Sequence, residues 1–334
     1  MHMKLKIRYF VVLTLACLGV MSCDQDIVLM GDPVTKLTND CIKRSLPIAP
    51  NLVGQEIEFA YAMALPKELG KLASAQVVAS IPGASGTYFD PNSYHTNASG
   101  QDIPVLVAAE SQTSGTATSI QFTADTCAAT LRYYYIIPEE ARGKEVSFTF
   151  SAKASNGQSV EYKMGPYKIS TMHMTRNLSL TPDEQCYISF RNNAEAAVIY
   201  SKSQLAADPS LASQVDIVYG YHTNADLSHA FYAAGSPEAY RPNVVFPSGF
   251  SNATKMIQEY GLRDRQLSDL QYSHFIDDLD FQAVNMDRSI HHALLLKEEA
   301  GVWVETADGA YRAFVFVNKA AATGMTVSVK RYKM

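Results

Sequence analysis

The residue with the most definite chemistry is Cys23. It closes the sequence Val20-Met21-Ser22-Cys23 behind an apolar run, Tyr9 to Gly19, that follows Lys4, Lys6 and Arg8. A basic start, a short apolar stretch and a small residue before a cysteine mark a secretory leader that ends in a lipobox. Cleavage before Cys23 frees its amine for acylation and its thiol for a diacylglyceryl thioether, and each buried CH₂ then contributes about 0.8 kcal/mol of membrane attachment. The apolar run is too short for a permanent span, so residues 1–22 are expected to be removed and the rest tethered through lipid. Met21 is unusual in a lipobox, and an ordinary leader cut after Ser22 is the competing reading. It would leave a free thiol in an oxidising compartment, which secreted proteins rarely keep.

No other segment carries a reaction signature. Asp277, Asp278 and Asp280, with Asp264 and Asp269 upstream, form the densest acidic cluster, but they lack the alternating oxygen ligands, glycine and distal glutamate of a calcium loop. A solvated helix face is the expectation, and no metal or cofactor is assigned. His222, His229, His274, His291 and His292 all fall in the second half without H-x-x-x-H or H-E-x-x-H spacing. There is no G-x-S-x-G elbow and no glycine-rich phosphate cradle, so no catalytic residue is named. The functional hint lies in Tyr88-Phe89-Asp90-Pro91-Asn92-Ser93-Tyr94-His95, between Gly86 and Gly100. Aromatic rings beside amides and carboxylates suit a sugar, whose ring stacks while its hydroxyls are hydrogen-bonded. Tyr88, Phe89, Tyr94 and His95 are therefore the candidate ligand-binding residues, with Trp303 in the second half, where Tyr232 and Tyr240 offer similar surfaces. Core packing is the competing reading for each, since half of a strand's aromatics face inward.

The chain has 334 residues, 28 basic and 33 acidic, for a formal charge of −5. Loss of the leader removes three further positive charges, and such a surface is a poor partner for nucleic acid. Charged residues make up only 18%, which fits an exported β-rich protein. Cys41, Cys127 and Cys186 remain after the leader and the lipid have used the others. Three cannot all pair; burial of single thiols is expected, and one disulfide of unspecified pairing stays open.

The elements that must position these residues read mostly as strands. Glu145 to Ala154 alternates, with Val146, Phe148, Phe150 and Ala152 on one face. Asn156-Gly157 then predicts a type I′ hairpin with Val160, Tyr162 and Met164 facing inward on the return. Ile120–Thr123 and the tyrosine-rich Ala129–Ile137 are also extended. About seven short strands before residue 170 predict an immunoglobulin-like β-sandwich. The character changes between Ser170 and Pro182. Beyond it, Cys186–Phe190 and Asp216–Tyr221 read as strands, and 201–214 as helix broken at Asp208-Pro209. The apolar spacing of Met256, Ile257, Tyr260, Leu267, Leu270, Phe275, Ile276 and Leu279 predicts two helices within 254–281, separated near Gly261. Asp308-Gly309 marks another hairpin, and Met325–Lys330 alternates. The fold expected is mainly β, as tether 23–36, an Ig-like sandwich over 37–172, and an α+β domain over 173–334 with helical insertions.

Asn39-Asp40-Cys41-Ile42-Lys43-Arg44, the segment Leu131 to Ser170 and the Asp308-Gly309 hairpin together resemble a lipoprotein family of gut Bacteroidetes with no assigned activity. Asp24-Gln25-Asp26 is similar to the export signal that carries such lipoproteins to the outer face of the outer membrane; a solvated tether is the alternative. The resemblance implies compartment and architecture, not chemistry. The expectation is a non-enzymatic, lipid-anchored surface protein that binds an extracellular glycan. The alternatives are an accessory or structural subunit of an outer-membrane uptake or adhesion complex, and a glycan-active hydrolase.

Overall fold

The structure, a computed structural model, describes residues 35–224, 227–268 and 274–334. Cys23, the leader and most of the tether lie outside them, as do Asp269 and Leu270. The described chain forms four antiparallel five-stranded sheets, two in each domain, with strands numbered here along the chain. In the first domain one sheet is ordered β1 (Thr38–Lys43), β2 (Glu56–Ala64), β8 (Ala128–Ile136), β4 (Tyr88–Thr96), β5 (Asp102–Leu106). The facing sheet is ordered β10 (Ser159–Lys168), β9 (Glu145–Ala154), β3 (Leu72–Ala79), β7 (Ala117–Gln121), β6 (Gln112–Ser114). The sandwich thus has ten strands instead of the seven expected, because the 88–114 region adds strands at the sheet edges.

Strand alternation builds its core. Val146, Phe148, Phe150 and Ala152 are buried, and so are Phe59, Tyr61, Leu131, Tyr133 and Tyr135 from the opposite sheet. Phe59 meets Phe148 and Phe150 at 4.8 and 5.3 Å between ring centroids. Each such side chain taken from water contributes about 1.5 to 3 kcal/mol. The Asn156-Gly157 hairpin forms, but only Gly157 takes positive φ. Ala154 N–H bonds Gln158 C=O and Gly157 N–H bonds Ala154 C=O. This is a three-residue loop closed by a left-handed glycine, not the two-residue type I′ turn that needs positive φ twice. Cys41, Cys127 and Cys186 are free thiols. Burial pushes the Cys41 and Cys186 thiols up to about 12, leaving them protonated and unreactive at neutral pH.

In the second domain the third sheet is ordered β11 (His173–Leu180), β20 (Gly324–Lys333), β19 (Tyr311–Ala321), β18 (Ala300–Glu305), β16 (Lys255–Tyr260). The fourth is ordered β13 (Val198–Ser201), β12 (Gln185–Ser189), β14 (Ile217–Tyr221), β15 (His229–Tyr232), β17 (His292–Leu296). Helix α1 (Lys202–Ala207) opens on a Ser201/Gln204 capping box and stops at Asp208, where Pro209–Gln214 continues as a 3₁₀ turn. Within 254–281 the expectation of two helices is corrected. Lys255–Tyr260 is a strand paired along its length with β18, and the helix α2 there is limited to Asp278–Ala283. Both faces of the third sheet are covered. Met256 packs into the core between the sheets while Ile257 packs into a second layer outside. A strand buried on both faces loses its period-two signature, and a short apolar run then mimics a helix. Leu279, placed on the apolar stripe, is 68% exposed.

That outer layer joins the two domains. Leu267, Ile276, Phe281 and Met286 lie over Trp303, Phe314 and Phe316, and Leu52 of the first domain and Met172 of the connection complete the cluster. An ion pair pins the layer: Lys330 Nζ donates to Asp264 Oδ2 at 2.6 Å, Gln266 Oε1 at 2.7 Å and Ile276 C=O at 2.8 Å. Asp264 in turn accepts from the backbone N–H groups of Gln266 and Ile276, each at 2.7 Å. Both charged side chains are fully buried. Burial lowers the Lys330 pKa, and Asp264 opposes the shift. Gln266 then reaches across the junction, its Nε2 donating to Pro50 C=O at 3.0 Å and Gln55 Oε1 at 2.6 Å.

Removing one member of this pair leaves the other buried and unpaired. Lys330→Met is expected to lower unfolding free energy by about 3 to 5 kcal/mol, read by urea denaturation against the native chain. A loss near zero would show that Asp264 finds another partner.

Candidate functional site

The outer face of the first sheet brings together side chains from four strands and from the residue that follows β1. β4 and β8 pair so that Tyr88 lies opposite Tyr134 and Phe89 opposite Tyr133. Alternation sends Tyr88 and Tyr134 outward, where their rings stack at 5.0 Å and 18°. Tyr88 is 43% exposed. Pairing resumes only at Ser93 opposite Leu131, so Asp90-Pro91-Asn92 bulges from the ladder. Proline, with no N–H to give, suits such a place. Asp90 Oδ1 accepts from the backbone N–H and Nδ2 of Asn92, at 2.9 and 2.7 Å, and Oδ2 accepts from Tyr94 Oη at 2.6 Å. The Arg132 guanidinium lies over the Tyr94 ring, 3.9 Å from its centroid.

Charges frame these rings. Arg132 pairs with Asp102 on β5 and lies 3.6 Å from Glu58 on β2. Arg44, just past β1, bridges the same two carboxylates at 2.9 Å to Glu58 and 3.4 Å to Asp102. The hydrogen bond to Asp90 pushes the Tyr94 phenol up to about 12, with burial adding to it. Burial, then the neighbouring Tyr134, raises Tyr88. Both rings stay neutral donors at physiological pH. The arrangement is a shallow platform with one stacked tyrosine pair, one arginine-covered tyrosine and fixed acceptors beside them. It can hold a flat, hydroxyl-rich ligand.

The structure divides the residues expected to bind. Tyr88 and Tyr94 are in the platform. Phe89 is fully buried, in the core of the sandwich, because it is one step out of phase with Tyr88. His95 is exposed at the end of β4, and alternation directs it to the face opposite Tyr94. Trp303 is 6% exposed and packs against Phe281 and Phe314 at 5.3 and 4.8 Å. Phe89 and Trp303 therefore build cores and offer no face to a ligand. Tyr232 is also fully buried, whereas Tyr240 is half exposed and stacked on His292. Tyr134 and Arg132, which complete the platform, escaped the sequence reading. The signal was present in Arg132-Tyr133-Tyr134-Tyr135, where every second residue must face out.

Several of the other candidate groups are engaged structurally. Asp277 and Asp280 form a capping box on α2, and Asp278 accepts from Ser170 and lies 3.6 Å from Lys168. His229 bonds Tyr219 at 2.8 Å, His222 bonds Tyr232 at 2.9 Å and His291 bonds Thr254 C=O at 3.0 Å. Among the described residues no three His, Cys, Asp or Glu side chains converge as a metal site, and no helix is long and apolar enough to cross a membrane. A cleft of about 660 Å³ in the second domain is lined by Lys255, His291, Glu305 and Arg312. Three of its charges pair with one another, Glu305 meeting Lys255 and Arg312 at 2.8 Å each.

Residues 34–169 match the family described as Domain of unknown function (DUF4466), and residues 170–334 match Domain of unknown function (DUF8576). Among solved structures, a DUF4466 family protein from Parabacteroides merdae is 68% identical, with a TM-score of 0.89 over 90% of this chain and 100% of that one. BcpA, the major pilin subunit of Bacillus cereus, is 12% identical with a TM-score of 0.31, over 50% of this chain and 51% of that one. No curated protein matches the chain.

The Asp90 contact sets a titration test. A carboxylate that accepts from the neutral phenol favours that form, so Tyr94 adds stability that is complete below its ordinary 10.0 and is lost as pH rises through about 12. Asp90→Asn is expected to bring the phenol back toward 10.0, seen as an earlier step in ultraviolet difference titration. An unchanged profile would show that Asp90 does not hold the hydroxyl.

Proposed function

The chain belongs to the DUF4466 family, and from that premise we propose that it is a lipid-anchored cell-surface protein that binds an extracellular glycan without altering it. The observation that carries the reading is the exposed Tyr88/Tyr134 stack beside the Arg132-covered Tyr94. Sugar rings present C–H faces that stack on tyrosine, while their hydroxyls bond carboxylates and guanidinium groups. These groups sit on strands of a packed sandwich, so little ordering is required on binding. The lipobox at Cys23 supports the anchor, and the acidic residues after it support export to the outer face of the outer membrane.

A second reading, an accessory subunit of an outer-membrane uptake or adhesion complex, is favoured by β5. This edge strand exposes Val105 and Leu106 at 47% and 67%, and open sheet edges accept partner strands.

Two measurements test the proposal. A glycan array should return ligands, and Tyr88→Ala with Tyr94→Ala should weaken the best of them by about 1 to 3 kcal/mol, as for loss of packed aromatic contacts, with circular dichroism unchanged. Full affinity in the double variant would move the site elsewhere. Turnover of a bound glycan would replace the binding reading with the hydrolase one, and no binding at all would favour the subunit. For the anchor, Cys23→Ala should release the protein from the membrane fraction; retention would show that another element holds it.

A further inference from the structure

The two ends of the first domain differ. One end, formed by Asn51, Gly54, Ile137 and Ile169, leads to the second domain: Asn51 bridges Ile169, and Gly54 N–H bonds Ile137 C=O. At the other end the chain enters from its N-terminal segment. Leu37 is buried there with its N–H donating to Gln158 Oε1 at 2.7 Å, on the loop between β9 and β10. Beside this entry is a recess of about 490 Å³ lined by Lys67, Lys71, Ser155, Asp125, Cys127 and Gly70. The turn Lys67–Leu69 forms its lip and exposes Leu69 at 37%, an apolar residue between two lysines.

Its charges are available. Lys71 meets Asp125 only at 3.9 Å, with side chains 54% and 85% exposed, a separation and exposure at which an ion pair is weak and screened. Lys36 and Lys153 are exposed at the same end, where Glu68 lies in the turn and Asp125 lines the recess. An apolar tip ringed by lysines matches a membrane interface, where the aliphatic part enters and the ammonium groups meet phosphate.

We propose that this end of the first domain rests on the lipid surface, with Lys67 and Lys71 against the anionic phosphate groups of the lipid and Leu69 at the acyl boundary. The second domain then points away from the membrane, with the turn 321–324 between β19 and β20 at its far end. The occupant follows from where the N-terminal chain ends and from the charge around it. The inference rests on the Cys23 anchor, but adds a defined contact and a direction.

The test uses the full chain purified from membranes and reconstituted in phosphatidylcholine vesicles containing phosphatidylglycerol with brominated acyl chains. Native Trp303, buried in the second domain, is the internal reference. Leu69→Trp should give emission quenched at least about two-fold by the brominated lipid, whereas Ala322→Trp and the native protein should not be quenched. Lys67→Glu with Lys71→Glu, added to Leu69→Trp, should abolish the quenching while the protein still floats with the vesicles. If the protein floats and Leu69→Trp is unquenched, or Ala322→Trp is quenched instead, the docking is overturned and the anchor stands. If the native chain does not float, the anchor reading fails and the docking with it.

Discussion

The buried pair of Lys330 and Asp264 is the constraint around which the second domain and its junction are arranged. Two charges withdrawn from water cost several kcal/mol each, repaid only when the remaining donors and acceptors are satisfied. Here an ammonium with three protons meets three acceptors, and the carboxylate takes two backbone N–H groups besides. That requirement fixes Asp264, Gln266 and Ile276 over the sheet, and with them the layer that hides Trp303 and Phe314. Since Gln266 is one of the three acceptors, its amide nitrogen is directed at Pro50 and Gln55. Ion pair, cover and domain junction are therefore one hydrogen-bonded unit.

Much of the first domain was legible in the residues because its sheets have one wet face and one dry one. Glu145 to Ala154 announces its phase, and Asn156-Gly157 announces the reversal, although the loop spends one residue more than a type I′ turn. The second domain is harder to read where its third sheet is covered twice. Met256 and Ile257 face opposite layers, which erases the alternation that would have marked a strand. Val329 and Lys330 read as an ordinary inward and outward pair; that the outward side is itself buried is a fact about residues about forty to seventy positions away in sequence.

The platform shows the same division. A local reading reaches Tyr88 and Tyr94, and it errs on Phe89 because clustering of aromatics says nothing of which side each faces. Tyr134 and Arg132 become partners only through the pairing of β4 with β8, a long-range register that no local spacing carries. Arg44, Glu58 and Asp102 come from three further places in the chain.

The bulge at Asp90-Pro91-Asn92 separates Phe89 from Ser93 by four steps while Tyr133 and Leu131 across from them are separated by two. The surplus is two residues, and strand parity is the same before and after it. Tyr88 and Tyr94 therefore share a face despite the interruption. A length change in this stretch therefore acts through its parity: a gain or loss of two residues resizes the bulge, but a change of one turns Tyr94 into the core and brings a neighbour out in its place.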